Sequence, residues 1–255
     1  QQAYLKASNP GAGDWFGSAL ALVGDTLVVG AYGEDSNATG VNAPAGGGSA
    51  TQGDNSAADS GAAYIFTRSA GTWSQQAYLK ATNTGHGDMF GSAVAVSADA
   101  VLVGAYGEDS NATAVNGNQG DNSSSYSGAA YLFSQDAGPW SQDAYLKAAN
   151  GAPNDYFGSA VAVSGSQLLI GASGKFGDPL NSSTANEGAV FVFAPAPPEV
   201  AAIAPPTGSV AGGTDVTITG THFSGATLVT NGGSYAANVV VVDDTTITAK
   251  TPPGA

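Results

Sequence analysis

Acidic and amide side chains crowd two stretches of the sequence. The first reads Tyr32-Gly33-Glu34-Asp35-Ser36-Asn37-Ala38-Thr39-Gly40-Val41-Asn42 and runs on through Gly53-Asp54-Asn55-Ser56 to Asp59-Ser60-Gly61. The second repeats this chemistry with Glu108, Asp109, Asn111, Asn116, Asp121 and Asn122. Hard oxygen donors in glycine-rich loops suit Ca2+, which takes about 6–8 oxygens in irregular geometry. Glu34, Asp35, Asn37, Asp54 and Asn55 therefore form one candidate calcium set, and Glu108, Asp109, Asn111, Asp121 and Asn122 a second. A third stretch has Gly174-Lys175 in place of the acids, and no equivalent site is expected there. The competing expectation is that these Asp, Asn and Ser residues close turns and stay solvated.

Other residue types point to structure more than to chemistry. Asp14, Asp88 and Asp155 each stand two residues before a Phe-Gly pair, and are expected to bind backbone amides at a strand start. Trp73, Trp140, Tyr78 and Tyr145 could form a sugar platform, but repeated aromatics more often pack between repeated units. Catalysis finds no support. His86 and His222 lie far apart with no nucleophile motif near either, and Gly46-Gly47-Gly48 has neither a Lys nor a helix after it. The adjacent carboxylates Glu34 and Asp35 sit in a polar loop that does not fix the geometry a glycosidase needs. Asn37-Ala38-Thr39, Asn111-Ala112-Thr113, Asn122-Ser123-Ser124 and Asn181-Ser182-Ser183 match the glycosylation sequon, as chance allows in loops of this composition.

Composition narrows the partners. The 255 residues carry 6 Lys and Arg against 20 Asp and Glu, a formal net charge of −14. So few cations cannot neutralise a run of phosphates or dock on anionic lipid, so no nucleic acid and no membrane surface is expected. No apolar run approaches the ~20 residues of a membrane span, so no membrane insertion is expected either. Cysteine is absent. An acidic, Lys-poor chain rich in Asn, Ser, Thr and Gly points to an extracellular, secreted or cell-surface protein of prokaryotic type. The absence of an initiator Met and of a signal peptide suggests a mature or excised segment.

These residues are held by a repeat. Gln1-Gln2-Ala3-Tyr4-Leu5-Lys6-Ala7 returns as Gln75-Gln76-Ala77-Tyr78-Leu79-Lys80-Ala81 and as Gln142-Asp143-Ala144-Tyr145-Leu146-Lys147-Ala148. Asp14-Trp15-Phe16-Gly17-Ser18-Ala19 returns at 88–93 and 155–160, and Gly30-Ala31 at 104–105 and 171–172. Gly61-Ala62-Ala63-Tyr64 returns at 128–131 and, as Gly188-Ala189-Val190-Phe191, at 188–191. All length variation thus falls in the loop that holds the acids, and such variable loops on a fixed frame are where binding is usually carried.

Each repeat reads as four antiparallel strands. Phe16 to Val23 and Thr26 to Ala31 flank the hairpin signal Gly24-Asp25, and both are nearly continuous in apolar residues, as for strands buried on two faces. Ala62 to Arg68 is a third strand and Trp73 to Ala81 a fourth, outer one. No stretch carries a convincing helical period. Four strands per unit, innermost small, is the pattern of a β-propeller blade.

The Phe-Gly-Ser-Ala…Val-Val-Gly-Ala signature at 16–31, 90–105 and 157–172 resembles the FG-GAP repeat of integrin alpha-chain propellers and bacterial proteins. The resemblance covers residues 1–194, with blades at about 14–81, 88–148 and 155–193. One departure matters: the first hairpins are only Gly24-Asp25, Ala98-Asp99 and Gly165-Ser166, so the family's Asp-rich calcium loop has no counterpart there. Blade three lacks an outer strand, because Ala194-Pro195-Ala196-Pro197-Pro198 follows Phe193. Residues 1–7 are conversely an outer strand with no blade, and are expected to complete a third blade, in the same chain or in a neighbour. Three blades fall short of the 4–8 of a typical ring.

Residues 195–200 read as a Pro-rich linker. Beyond it, Gly212-Gly213-Thr214-Asp215-Val216-Thr217-Ile218-Thr219-Gly220 and Thr246-Ile247-Thr248-Ala249-Lys250-Thr251-Pro252 resemble the IPT/TIG domain, an immunoglobulin-like sandwich. At 201–255 this domain looks one strand short of its family. The sequence therefore predicts an all-β chain of three FG-GAP-like blades plus an IPT/TIG-like sandwich lacking its last strand. The expected function is non-enzymatic adhesion or structure outside the cell, toward a protein or glycan surface ligand, with Ca2+ as the expected ion. Two alternatives are the subunit of an extracellular fibre joined by strand exchange and the carbohydrate-binding accessory of a secreted enzyme. The fibre would make the chain a homo-oligomer or polymer through residues 1–7 and the edge of the C-terminal domain.

Overall fold

A computed structural model describes residues 1–42, 51–135, 138–175, 187–194, 199–221, 223, 229–231, 233–243 and 245–253. Gly46-Gly47-Gly48, His222 and the sequon at Asn181 lie outside the described residues, as does most of the expected linker (195–198). The chain forms two compact units, Gln1–Phe193 and Ala194–Ala255.

The first unit is three stacked antiparallel sheets, one per repeat. Blade one runs β1 (Ala19–Val23), β2 (Thr26–Ala31), β3 (Ala62–Ser69) and β4 (Thr72–Leu79) in sequence order. Blade two repeats it with β5 (Ala93–Val96), β6 (Ala100–Ala105), β7 (Ala129–Ser134) and β8 (Ser141–Leu146). Blade three has three strands, β9 (Phe157–Ser164), β10 (Gln167–Ala172) and β11 (Ala189–Phe193), in the order β11-β10-β9. The first strand of blade one starts at Ala19, later than expected, because Trp15 and Gly17 both take positive φ and Ser18 N–H closes a turn on Trp15 O.

The blades meet face to face. Between blades one and two, Val28, Ile65 and Leu79 pack on Phe90, Val101, Val103 and Tyr131. Between blades two and three, Leu102, Ala130 and Leu146 pack on Phe157, Leu168 and Ile170. Two glycines allow this approach. A Cβ on Gly30 would sit 2.0 Å from Gly91 O, and one on Gly104 2.0 Å from Gly158 O. The backbones also join directly, Phe90 N–H to Ser60 O and Phe157 N–H to Ser127 O.

Burial on two faces, expected for the first two strands, holds for β2 from Val28 onward and fails for β1. Leu20 and Leu22 of β1 are 64% and 63% exposed, because the face that carries them has no blade against it. Residues 1–7 do not complete blade three of their own chain. They form no strand, Tyr4 is 77% exposed, and Leu5 and Ala7 lie against blade one. The reason is connectivity: Ser8 N–H is held by Gln75 Oε1, and Asn9 is tied to Glu34 and Tyr64, all in blade one.

The second unit holds a four-stranded sheet in the order β12-β13-β17-β16, built of β12 (Glu199–Ala204), β13 (Asp215–Thr221), β16 (Ala237–Asp243) and β17 (Thr246–Lys250). β14 (Thr230–Asn231) and β15 (Ser234–Tyr235) pair separately. The last two residues of the expected linker, Glu199 and Val200, open β12. Val216, Ile218, Phe223, Ile247 and Ala249 form its core. Alternation of Val and Ile with Thr in β13 and β17 puts the apolar residues on one face.

Gly104→Ala should therefore lower stability by about 1–3 kcal/mol, the usual cost of overpacking. Gly171→Ala, whose Cβ would meet nothing closer than Ala160 Cβ at 3.3 Å, should be near neutral. Urea unfolding of both variants at low protein concentration checks the contrast.

Candidate functional site

The acidic loops enter the blades through one buried ion pair per blade. In blade one, Lys80 Nζ donates to Glu34 Oε2 at 2.9 Å and to Ser60 Oγ at 2.8 Å. In blade two, Lys147 Nζ donates to Glu108 Oε2 and to Ser127 Oγ, both at 2.8 Å. Their side chains are 0–3% exposed.

Each element delivers one member. The lysine follows the outer strand, β4 or β8. The glutamate opens the variable loop after β2 or β6, and the serine closes that loop before β3 or β7. The second carboxylate oxygen is also filled. Glu34 Oε1 accepts from Tyr78 OH at 2.9 Å and from Asn9 Nδ2 at 2.9 Å. Glu108 Oε1 accepts from Tyr145 OH at 2.7 Å and from Asn83 Nδ2 at 3.1 Å. Asn9 and Asn83 in turn accept from Tyr64 OH and Tyr131 OH, so the chain entering each blade is stapled to the same network. Ser60 Oγ and Ser127 Oγ lie within bonding distance of the loop's own carbonyls, those of Glu34 and Ser36 in one blade and Glu108 and Ser110 in the next.

Burial pulls the Lys80 and Lys147 ammonium groups below the usual lysine range, against the opposing pull of Glu34 and Glu108. Burial beside the same glutamates pushes the Tyr64, Tyr78, Tyr131 and Tyr145 phenols up, so they remain donors. Every charge here meets a partner, which is the condition for keeping an ion pair out of water.

This geometry corrects the expected role of Glu34 and Glu108. They are not loop ligands for calcium, because four protein donors already surround each carboxylate. The other acids of the two candidate sets bond within the loops, and of these Asp54 is buried. Asp35 Oδ1 accepts from Asp59 N–H, and Asp109 Oδ1 from Tyr126 N–H. Asp54 Oδ1 accepts from Ser56 N–H, and Asp121 Oδ1 from Ser123 N–H and Oγ, which draws the Asp121 carboxyl below the usual range. Asn111 Nδ2 donates to Ser123 Oγ, while Asn55 and Asn122 are exposed and Asn37 is half-buried. Among the described residues, no three His, Asp or Glu side chains converge as a metal centre.

Asp14, Asp88 and Asp155 behave as backbone anchors, accepting from Gly11, Gly85 and Ala152 N–H. In blade three the network is rewired. Lys175 stands where Glu34 and Glu108 stand and pairs with Asp155 at 2.6 Å. Tyr78 and Tyr145 are fully buried, Tyr78 in edge contact with Tyr64 and Tyr145 tilted against Tyr131, which removes them from any sugar platform. Sequence reasoning missed the lysines as partners of the acids. The signal was present: in a chain with so few cations, Lys80 and Lys147 recur at one position of the repeat, as Glu34 and Glu108 do.

Stacked four-stranded blades whose loops are anchored from inside define a repeat-built, all-β scaffold. The chain belongs to the FG-GAP repeat family, whose family model matches residues 1–45, 73–133 and 140–193. Its second unit matches the IPT/TIG domain over residues 198–255. Both are non-catalytic domain families typical of extracellular or surface proteins. No curated protein matches the sequence. Among the described residues no helix is long and apolar enough to cross a membrane.

Glu108→Gln should destabilise by about 3–5 kcal/mol, because it strands the Lys147 charge in the core. Adding Lys147→Met should recover a large part of that loss, and a double-mutant cycle in urea measures it. A second expectation concerns Asp88, whose carboxyl is pushed up to about 7, first by burial and then by Glu108 and Asp109. Its folded value lies above its unfolded one. The unfolded chain therefore binds fewer protons between about pH 4 and 7, and stability falls across that window as pH rises, by up to about 1.4 kcal/mol per pH unit. Asp88→Asn should flatten that slope in unfolding curves taken from pH 4 to 8.

Proposed function

We propose that the chain is an adhesion or structural module of the extracellular or cell-surface type, which presents its polar loops on a rigid bladed frame. The observation that carries this is the buried Lys–Glu pair, which fixes both ends of the variable loop to the blade: the glutamate at its start and the serine at its end meet one ammonium group. A loop held this way loses little conformational entropy when it meets a ligand. The test is saturable binding of the labelled chain to a panel of glycans, matrix proteins and cells. Binding should fall at least tenfold on Asn55→Lys and Asn122→Lys, at exposed loop positions, with the melting temperature unchanged. Binding that is indifferent to those residues would overturn the reading.

A glycan is the second ligand class, supported by a different aromatic cluster from the one the sequence suggested. Tyr106 and Tyr126 both make edge contact with Tyr156 where blades two and three meet, and Tyr126 is 40% exposed. Calcium enters as a ligand of the loop oxygens of Asp35, Asn37, Asp54 and Asn55 and of Asp109, Asn111, Asp121 and Asn122, in the weak class of extracellular modules, with Kd of about 0.1–1 mM. Calcium at about ten times that Kd should raise the melting temperature, a chelator should reverse the rise, and no change would remove calcium from the proposal.

A further inference from the structure

The two ends of the blade stack carry complementary halves of the interface that joins the blades inside the chain. On the free face of blade three, Val190 and Val192 are 67% and 63% exposed, at the positions where Ala63 and Ile65 are buried in blade one. Gly171 and Gly188 occupy the positions of Gly30 and Gly61. In blade one a Cβ at either would strike the next blade's backbone at 2.0 Å, whereas at Gly171 and Gly188 the nearest atoms lie 3.3 and 3.7 Å away. On the free face of blade one, Leu20 and Leu22 are exposed where the equivalent Val94 and Val96 pack against the preceding blade. A Cβ on Gly17 would meet nothing within 4 Å, whereas Gly91 and Gly158 lie against carbonyls of the blade before them.

The missing strand has a matching seat. β11 is an edge strand of blade three. Beside it lies a cavity of about 260 Å3 lined by Thr113, Val115, Lys147, Phe191 and Phe193. Phe191 is the equivalent of Tyr64 and Tyr131, whose cross-strand partners are Tyr78 and Tyr145. The repeat places Tyr4 in that role. The charges match as well. Lys80 and Lys147 each meet a Glu and a Ser, whereas blade three offers Lys175, already neutralised by Asp155, and an exposed Glu187 at the position of Ser60 and Ser127. Glu187 is thus placed to receive Lys6.

We propose that residues Gln1–Ala7 of a second copy of this chain pair with β11, completing blade three, while blade one of that copy packs on the free face of blade three. The register follows the two internal examples: Tyr4 opposite Phe191, Leu5 opposite Val190 and Ala3 opposite Val192. Phe16 N–H of the incoming copy then reaches Glu187 O, as Phe90 reaches Ser60 and Phe157 reaches Ser127. The contact is head-to-tail, so two copies close a ring of six blades or a longer series makes a fibre. It is independent of what the loops bind.

The chain has no cysteine, so mixed single-cysteine variants report the register cleanly. Ala3→Cys mixed with Val192→Cys should form the intermolecular disulfide at least tenfold faster than Ala3→Cys mixed with Val210→Cys, an exposed control on the second unit. Light scattering should give a dimer or a longer series for the native chain. It should give a monomer after removal of residues 1–4, which are exposed and include Tyr4, with the melting curve of blades one and two retained. Lys6→Glu should weaken association, and Glu187→Lys added to it should restore it. Equal cross-linking to both partners, or a native chain that stays monomeric at high micromolar concentration, would overturn the proposal whatever the ligand-binding result.

Discussion

A lysine ammonium and a glutamate carboxylate, both out of water, govern how each complete blade is built. The pair draws together the end of the outer strand, the start of the variable loop and, through Ser60 or Ser127, the end of that loop. Because a lone charge there would cost several kcal/mol, the three segments cannot drift apart independently. The tyrosines and asparagines around the pair extend the constraint to the chain entering the blade. Loops of different length can then leave and return to the frame without disturbing it.

The same logic explains why the loops look like metal sites in sequence, whereas in the structure their glutamates belong to a buried ion pair. A repeated Glu-Asp in a glycine-rich loop supplies oxygen donors, but the glutamate turns inward to a lysine about forty residues away. The aspartates turn toward amides of their own loop, Asp35 toward Asp59 N–H and Asp109 toward Tyr126 N–H. What faces solvent is a polar rim of Asp, Asn and Ser with its backbone already organised, suited to contact with a partner surface.

Blade stacking is a second constraint, set by glycine. Where Gly30 and Gly104 allow a neighbouring carbonyl within reach, blades join through backbone as well as apolar contact. The stack is open at both ends, with exposed leucines on one face and exposed valines on the other. Internal repetition makes these ends alike in kind to the junctions between them, and the swap of acid and base in blade three alters the charge at one end.

The sequence by itself determined the repeat, the strand order, the short third blade and the families of both units, because these follow from local patterns: paired apolar runs, Gly-Asp turns and recurring landmarks. It also fixed Asp14, Asp88 and Asp155 as backbone anchors, since their partners lie three residues away. Only the tertiary structure decided that Glu34 belongs to Lys80 and Glu108 to Lys147, that Leu20 faces solvent, and that residues 1–7 stay beside blade one. Those outcomes depend on which distant segments meet in three dimensions, and on which blade faces find a neighbour. A one-dimensional pattern of residue types carries the donors and acceptors but not their pairing.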